Sequence, residues 1–168
     1  MIGRGVIAVV AAWSSMVPAA AQDFTLKKKI GEWVVYRHDD DCWMRKDLAN
    51  GTSLAFSTAQ TYTDLFIKLR NESWASVTDG STYVLRVQFG SIDETKTAYG
   101  SSRTSLLPPG VGIFLNELGD GYIDRLEVST SIRITMDGKV IVDTPLTGSD
   151  TNAAFEYLRR CTMSMRGD

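Results

Sequence analysis

"SIRITMDGKVIVD", residues 131–143, is the stretch whose reading decides the fold. Two runs rich in β-branched residues alternate apolar with polar side chains on either side of Asp137-Gly138. That dipeptide can take the two positive φ angles of a type I′ turn, whose twist matches the twist of paired strands. With Ile132, Ile134, Val140 and Val142 flanking the turn, the stretch is predicted to be a β-hairpin with one apolar face.

Upstream, the same period of two recurs. In "TYVLRVQFG" (82–90), Tyr83, Leu85, Val87 and Phe89 share one face and Arg86 and Gln88 the other. In "DLFIKLR" (64–70), Leu65, Ile67 and Leu69 oppose Lys68 and Arg70. "TSLAFSTA" (52–59) follows the turn signal Asn50-Gly51, and "EWVVYRH" (32–38) is β-branched and aromatic. "FTLKKKI" (24–30) is a weaker strand. "GSIDETKTAYGSSRTS" (90–105) and "LLPPGVG" (106–112) are polar and Gly/Pro-rich, and are expected to be loops or edge segments.

Two segments carry helical spacing instead. "GIFLNELGDGYIDRLEVS" (112–129) spaces Phe114, Leu118, Tyr122, Ile123 and Leu126 for a helix, but Gly119 and Gly121 limit it to a turn or two. "GSDTNAAFEYLRRC" (148–161) sets Ala154, Leu158 and Cys161 on one stripe, with Ser149 or Asp150 as the expected N-cap. Arg159 and Arg160 suit the negative C-terminal end of its dipole. Strands without βαβ alternation predict a mainly β fold: an antiparallel β-sandwich or flattened barrel, with a short helical segment near 113–127 and a C-terminal helix near 150–161.

The N-terminus reads differently. "MIGRGVIAVVAAWSSMVPAAAQDF" places Arg4 before a short apolar core, then Pro18 and the small residues "AAAQ". This is the pattern of an exported chain's leader, with cleavage expected after Ala21, so that 1–21 is a signal peptide and 22–168 a single β-sandwich domain. The apolar core is shorter than the roughly 20 residues a spanning helix needs, and no transmembrane helix is expected in the mature chain. Localisation is expected to be periplasmic or secreted. With 18 basic and 20 acidic residues the formal net charge is −2, which argues against nucleic acid as a partner. In an oxidising compartment the only two cysteines, Cys42 and Cys161, are most simply one disulfide, against free thiols or metal ligands.

Order and motif at the two ends resemble a known family. "IGEWVVYR" (30–37) is similar to a Gly-x-Trp-x-Val strand, here Gly31, Trp33 and Val35. A short helical piece, a strand, a "DGK" turn, a strand ending in "TPLTG" and the helix "AAFEYLRR" follow in a familiar order. Together these resemble the invasion-associated locus B family of exported alphaproteobacterial proteins. The family has a cysteine on its first strand, near Arg37, whereas Cys42 comes several residues later. The resemblance implies an antiparallel β-sandwich and a periplasmic or surface location, and transfers no catalytic residue.

Chemistry is sparse. "HDDD" (38–41) holds the only histidine, but consecutive aspartates point in different directions and no calcium-loop glycine follows. It reads as a polar turn in preference to a divalent-ion or catalytic site. No G-x-S-x-G elbow, phosphate loop or dinucleotide fingerprint is present. Asp93, Glu94, Glu117 and Asp124 could supply carboxylates to a small hydrolase, yet their spacing points to none. Trp33 is expected in the core, Trp43 over the neighbouring Cys42, and Trp74, in the polar "RNESWASVTDG" (70–80), is a candidate binding anchor. Lys27 to Lys29 with Arg37, Arg45 and Lys46 suggest a basic patch, or more simply a strand edge guarded by lysines. No catalytic, metal or cofactor-binding residue is assigned. The favoured function is a non-enzymatic, exported envelope protein whose partner is another envelope protein or a host surface. The alternatives are a small secreted hydrolase and a secreted inhibitor presenting the "LLPPGVG" loop.

Overall fold

The computed structural model describes residues 27–38, 41–58, 65–102, 108–115 and 121–165. Ten strands form one sheet: β1 (Lys27–Ile30), β2 (Trp33–His38), β3 (Asp41–Asp47), β4 (Thr52–Thr58), β5 (Leu65–Asn71), β6 (Thr82–Phe89), β7 (Ile92–Ser101), β8 (Gly110–Leu115), β9 (Ser131–Met136) and β10 (Lys139–Pro145). Their order is β1-β2-β3-β4-β5-β8-β7-β6-β9-β10, antiparallel throughout. Two helices interrupt the strands, α1 (Tyr122–Glu127) and α2 (Ser149–Ser164).

The sheet curls like half of a barrel. Its curl is stitched at the β3–β4 turn, where Asn50 Nδ2 donates to the carbonyl of Ile141, the residue that the bulge in β10 leaves unpaired (3.0 Å). Asn71 ties the same turn from β5, donating through Nδ2 to Thr52 Oγ1 (3.0 Å) and to the Asn50 carbonyl (3.3 Å). The 131–143 hairpin forms as expected, with Asp137 at φ 50° and Gly138 at φ 77°.

The inner face is the core. Every second residue of the strands points into it: Val35, Met44, Leu54, Phe56, Ile67, Leu85, Ile113 and Ile134 among others are at most 1% exposed. Helix α2 closes this face over β1, β2 and β3. Thr151, Phe155, Leu158 and Thr162 form its buried stripe. Three of these residues meet named partners on the sheet. Trp33 Nε1 donates to Thr151 Oγ1 (3.1 Å), Phe155 stacks on Phe56 (centroids 6.2 Å apart), and the hydroxyls of Thr162 and Thr58 share a buried hydrogen bond (2.8 Å). Cys161 lies one turn above Leu158 and meets Cys42, with Cα atoms 6.0 Å apart, inside the span a disulfide requires.

Several expectations need correction. Within segment 90–105, Ile92–Ser101 is not an edge but the ten-residue strand β7 between β8 and β6; residues 103–105 lie outside the described residues. Its sequence looks like a loop because only Ile92 and Ala98 of its first eight residues are buried. The "LLPPGVG" stretch enters the sheet as β8, and Pro109, Gly110 and Val111 are buried, which leaves that part of it unable to serve as an inhibitor's exposed loop; Leu106 and Leu107 lie outside the described residues. The short helical segment expected near 113–127 is present as Tyr122–Glu127, and Phe114 belongs instead to Gly110–Leu115, which pairs with β5 and β7; residues 116–120 lie outside the described residues. Sheet pairing there outweighs a helical pattern already weakened by glycine. Helix α2 starts after Gly148, with no side-chain cap, so Ser149 and Asp150 sit inside its first turn instead of capping it.

Candidate functional site

The same alternation that buries one face of β2–β5 sends a second set of side chains to the outer face. The register lays them out in rows. Tyr36, Trp43, Ser57 and Phe66 are successive partners across β2, β3, β4 and β5. The next row is Arg45, Ala55, Lys68, Gly112 and Tyr99, crossing β3, β4, β5, β8 and β7. A third row runs Asp47, Ser53, Arg70 and Gly110. Large side chains stand on β3 and β5, while β4 offers only Ser53, Ala55 and Ser57 between them. The large groups lean over that floor: Tyr36, Trp43, Arg45, Phe66, Lys68 and Arg70 are all half-buried, and Ala55 and Ser57 are buried.

The aromatic end of this face is packed. Trp43 and Phe66 flank Ser57 and meet edge to face, with centroids 5.5 Å apart at 87°. Phe66 lies over Gly112, where an added Cβ would come within 2.8 Å of its Cζ. The other end is cationic. Lys68 Nζ sits 5.9 Å from the Trp43 ring centroid, a distance at which a cation is attracted to the π face. Arg70 donates to the Pro108 carbonyl. Arg45 pairs with Asp47 at 3.3 Å, yet its Nε is buried and meets no hydrogen-bond acceptor among the described residues. Burial holds the Lys68 ammonium below its ordinary pKa, and the neighbouring Arg70 adds to this by repulsion. Arg70 is likewise pushed down by burial, with the Tyr36 phenol opposing. Tyr36 is raised by burial, against the pull of Arg45 and Arg70. Among the described residues, Asp47 is the carboxylate that acts on this cluster.

The sites expected from sequence fall elsewhere. Trp33 is in the core at 1% exposure. Trp43 does not cover Cys42, because neighbours in a strand face opposite ways: Cys42 points inward and Trp43 outward. Trp74 lies in the β5–β6 loop, half-buried and packed against the core. Lys27–Lys29 are the exposed edge strand β1: Lys28 Nζ turns to the helix side, 4.6 Å from the Tyr157 ring, while Lys27 and Lys29 fall on the outer face, Lys27 beside Tyr36 and Lys29 in register with Arg45 across Val34. His38 pairs with Asp41 in the β2–β3 ladder, and Asp39 and Asp40 lie outside the described residues. Among the described residues no three His, Cys, Asp or Glu side chains are grouped as metal ligands.

Nor do the carboxylates converge. Asp93 is held in a two-point pair by Arg86, both bonds 2.7 Å. Glu94, on the opposite face of β7, accepts from Tyr122 Oη (3.0 Å) and pairs with Lys96. Asp124 faces Arg159 at 3.8 Å, and Glu117 lies outside the described residues. A cleft of about 410 Å³ between the β3–β4 turn and β10 holds Glu32, Asp47 and Asp143. Each already faces a cation: Lys46 at 2.6 Å, Arg45 at 3.3 Å and Arg133 at 3.8 Å. A general acid needs its pKa raised, whereas Lys46 pushes Glu32 down.

Fold and face together define a class: a β-rich domain of one curled antiparallel sheet, closed on its inner side by a C-terminal helix and carrying aromatic and cationic side chains outside. No family model matches the chain, and no curated protein matches it. Its fold is similar to the crystal structure of invasion associated protein B from Bartonella henselae, with a TM-score of 0.56 and 11% identity over 86% of this chain and 100% of that one. At that identity the likeness shows the fold alone, and it agrees with the resemblance seen at the two ends of the sequence. Among the described residues no helix is long and apolar enough to cross a membrane.

Proposed function

We propose that the chain is an exported envelope protein that acts by binding, not by catalysis, and that its binding surface is the outer face of β2–β5. In this reading 1–21 is removed as a signal peptide and the 22–168 domain is held by a Cys42–Cys161 disulfide. The observation that carries it is the pairing of half-buried aromatics with three cations, Arg45, Lys68 and Arg70, against which Asp47 alone is paired among the described residues. Half-burying cations that repel one another costs stability. A sheet face kept for structure alone would more simply carry paired or apolar side chains. The neighbouring fold belongs to a protein named for invasion, which supports an envelope component or a host surface as the partner.

The test is affinity capture from envelope extracts with the mature chain, run beside two variants. Lys68→Gln/Arg70→Gln should lose the captured partner, while Lys28→Gln, on the helix side of β1, should keep it. Equal capture by all three would place the binding surface elsewhere. Trp74→Ala separates packing from anchoring: a packing role lowers stability with the partner retained, and an anchoring role loses the partner.

A further inference from the structure

Charge can be counted around the Ser53–Ala55 floor, with Asp41, Lys27 and Lys29 standing on the same face but beyond it. There Arg45, Lys68 and Arg70 contribute three positive charges, and Asp47, 3.3 Å from Arg45, contributes one negative. Lys68 and Arg70 have no carboxylate partner among the described residues. Arg70 lies two positions along β5 from Lys68, and Arg45 stands two strands from Lys68 with Ala55 between. At the usual strand spacing the Arg45 and Lys68 Cα atoms are roughly 10 Å apart, a gap two long side chains can close over a single small group. The floor of that gap is Ala55 and Ser53, and its far wall is the Trp43–Phe66 pair. Two surplus positive charges call for a doubly negative occupant. Two guanidinium forks and one ammonium favour an anion with several oxygens in a compact head. The buried Nε of Arg45, which meets no acceptor among the described residues, is one donor left over for it.

We infer that Arg45, Lys68 and Arg70 form a phosphomonoester site, taking a terminal phosphate group from solvent onto the floor of Ser53 and Ala55. A phosphomonoester carries about −1.5 to −2 at neutral pH and has three acceptor oxygens, which matches the surplus. A sulfate ester or a uronate carries one charge and leaves one cation unanswered. The inference rests on reading this face as the binding surface and adds the chemistry of what binds. Two sources present such a group: a soluble sugar phosphate, and a membrane lipid with a terminal phosphate.

Calorimetric titration of the oxidised mature chain at low salt decides the chemistry. The probes are glucose 6-phosphate and glucose 6-sulfate. The phosphate should bind at least about tenfold tighter than the sulfate, a gap of about 1.4 kcal/mol. Arg70→Gln and Lys68→Gln should each weaken the phosphate about tenfold or more, and Lys28→Gln should not change it. Equal affinity for the two esters, unchanged affinity in both face variants, or no phosphate binding at millimolar concentration would overturn the inference. Matching far-UV circular dichroism and unfolding midpoints for the variants keep a folding defect from passing as lost binding.

Sedimentation with phosphatidylcholine vesicles containing either phosphatidic acid or phosphatidylglycerol separates the sources. Binding confined to phosphatidic acid supports a lipid phosphate, and a soluble ester alone supports a saccharide phosphate. Equal binding to the phosphatidylglycerol diester contradicts the monoester requirement. If partner capture depends on Lys68 and Arg70 while no phosphate binds, the inference fails and the binding face stands. If capture is also unaffected, both fail.

Discussion

The two faces of β2–β5 are built from the same residues taken alternately, yet they obey different rules. On the inner face Val35, Met44, Phe56 and Ile67 are fully buried, and α2 closes over β1–β3 with Phe155 stacked on Phe56. On the outer face large side chains on β3 and β5 lean over small ones on β4, and the charges there do not balance. The inner face minimises exposed apolar area and, among the described residues, leaves no buried charge. The outer face retains half-buried cations that a purely structural surface would shed. Stability and binding are therefore expected to separate by face, and substitutions can test that separation.

The largest effect should come from the inner side. Phe56→Ala opens a cavity between Trp33 and Phe155 and is expected to cost about 3–5 kcal/mol in urea unfolding. A loss below about 1 kcal/mol would mean that α2 does not depend on that ring stack. Next comes the link between helix and sheet. Titration of the unfolded, unreduced mature chain should find no free thiol, and Cys161→Ser should cost about 2–5 kcal/mol, since the bond would close a loop spanning 119 positions. Two titratable thiols would remove that bond from the account.

On the outer face the steric lattice matters more than the charges. Gly112→Ala puts a methyl 2.8 Å from the Phe66 ring and should cost about 1–3 kcal/mol by overpacking. Trp43 fluorescence should change as Phe66 is displaced; an unchanged spectrum and midpoint would show that the ring is not fixed there. The smallest effect is on acid stability. Arg86 holds the Asp93 carboxyl below the ordinary carboxylate range, and Lys46 does the same for Glu32. The folded state binds these protons less readily than the unfolded chain. Their contribution is thus present above the ordinary carboxylate range and lost as pH falls through the lowered folded values. Asp93→Asn should narrow the difference between the midpoints at neutral and acidic pH; an unchanged difference would show that the Arg86 pair contributes nothing.

The inner face was legible from sequence and the outer face was not, for a physical reason. Alternation in 82–90 and 64–70 reports which residues are buried, and it located Leu85, Val87, Phe89, Leu65, Ile67 and Leu69 correctly. The Asp137-Gly138 turn was equally readable, because few dipeptides suit two positive φ angles. Strand β3 was obscured by Asp41, Arg45, Lys46 and Asp47, whose polarity resembles a loop. Strand β7 was hidden in the same way by its exposed Asp93, Thr95 and Thr97. The binding face needs the register of β3, β4 and β5 at once. Arg45, Lys68 and Arg70 are 23 and 2 positions apart in sequence, and only the alignment of Arg45 with Ala55 and Ala55 with Lys68 brings them together. The doublet "FIKLR" beside a tryptophan strand was the available signal. It was read only as the polar side of a strand.

The central claim is that the outer cations serve a partner and not the fold, and the unfolding midpoint of Lys68→Met tests it most directly. Methionine keeps the stem that packs beside Trp43 and removes a half-buried charge that Arg70 repels. The account predicts a midpoint equal to the wild type or higher, by under about 1 kcal/mol, or no more than roughly 2–4 °C in a domain of this size. A midpoint lowered by more than that range would show that Lys68 holds the sheet together, and would contradict a face kept for binding.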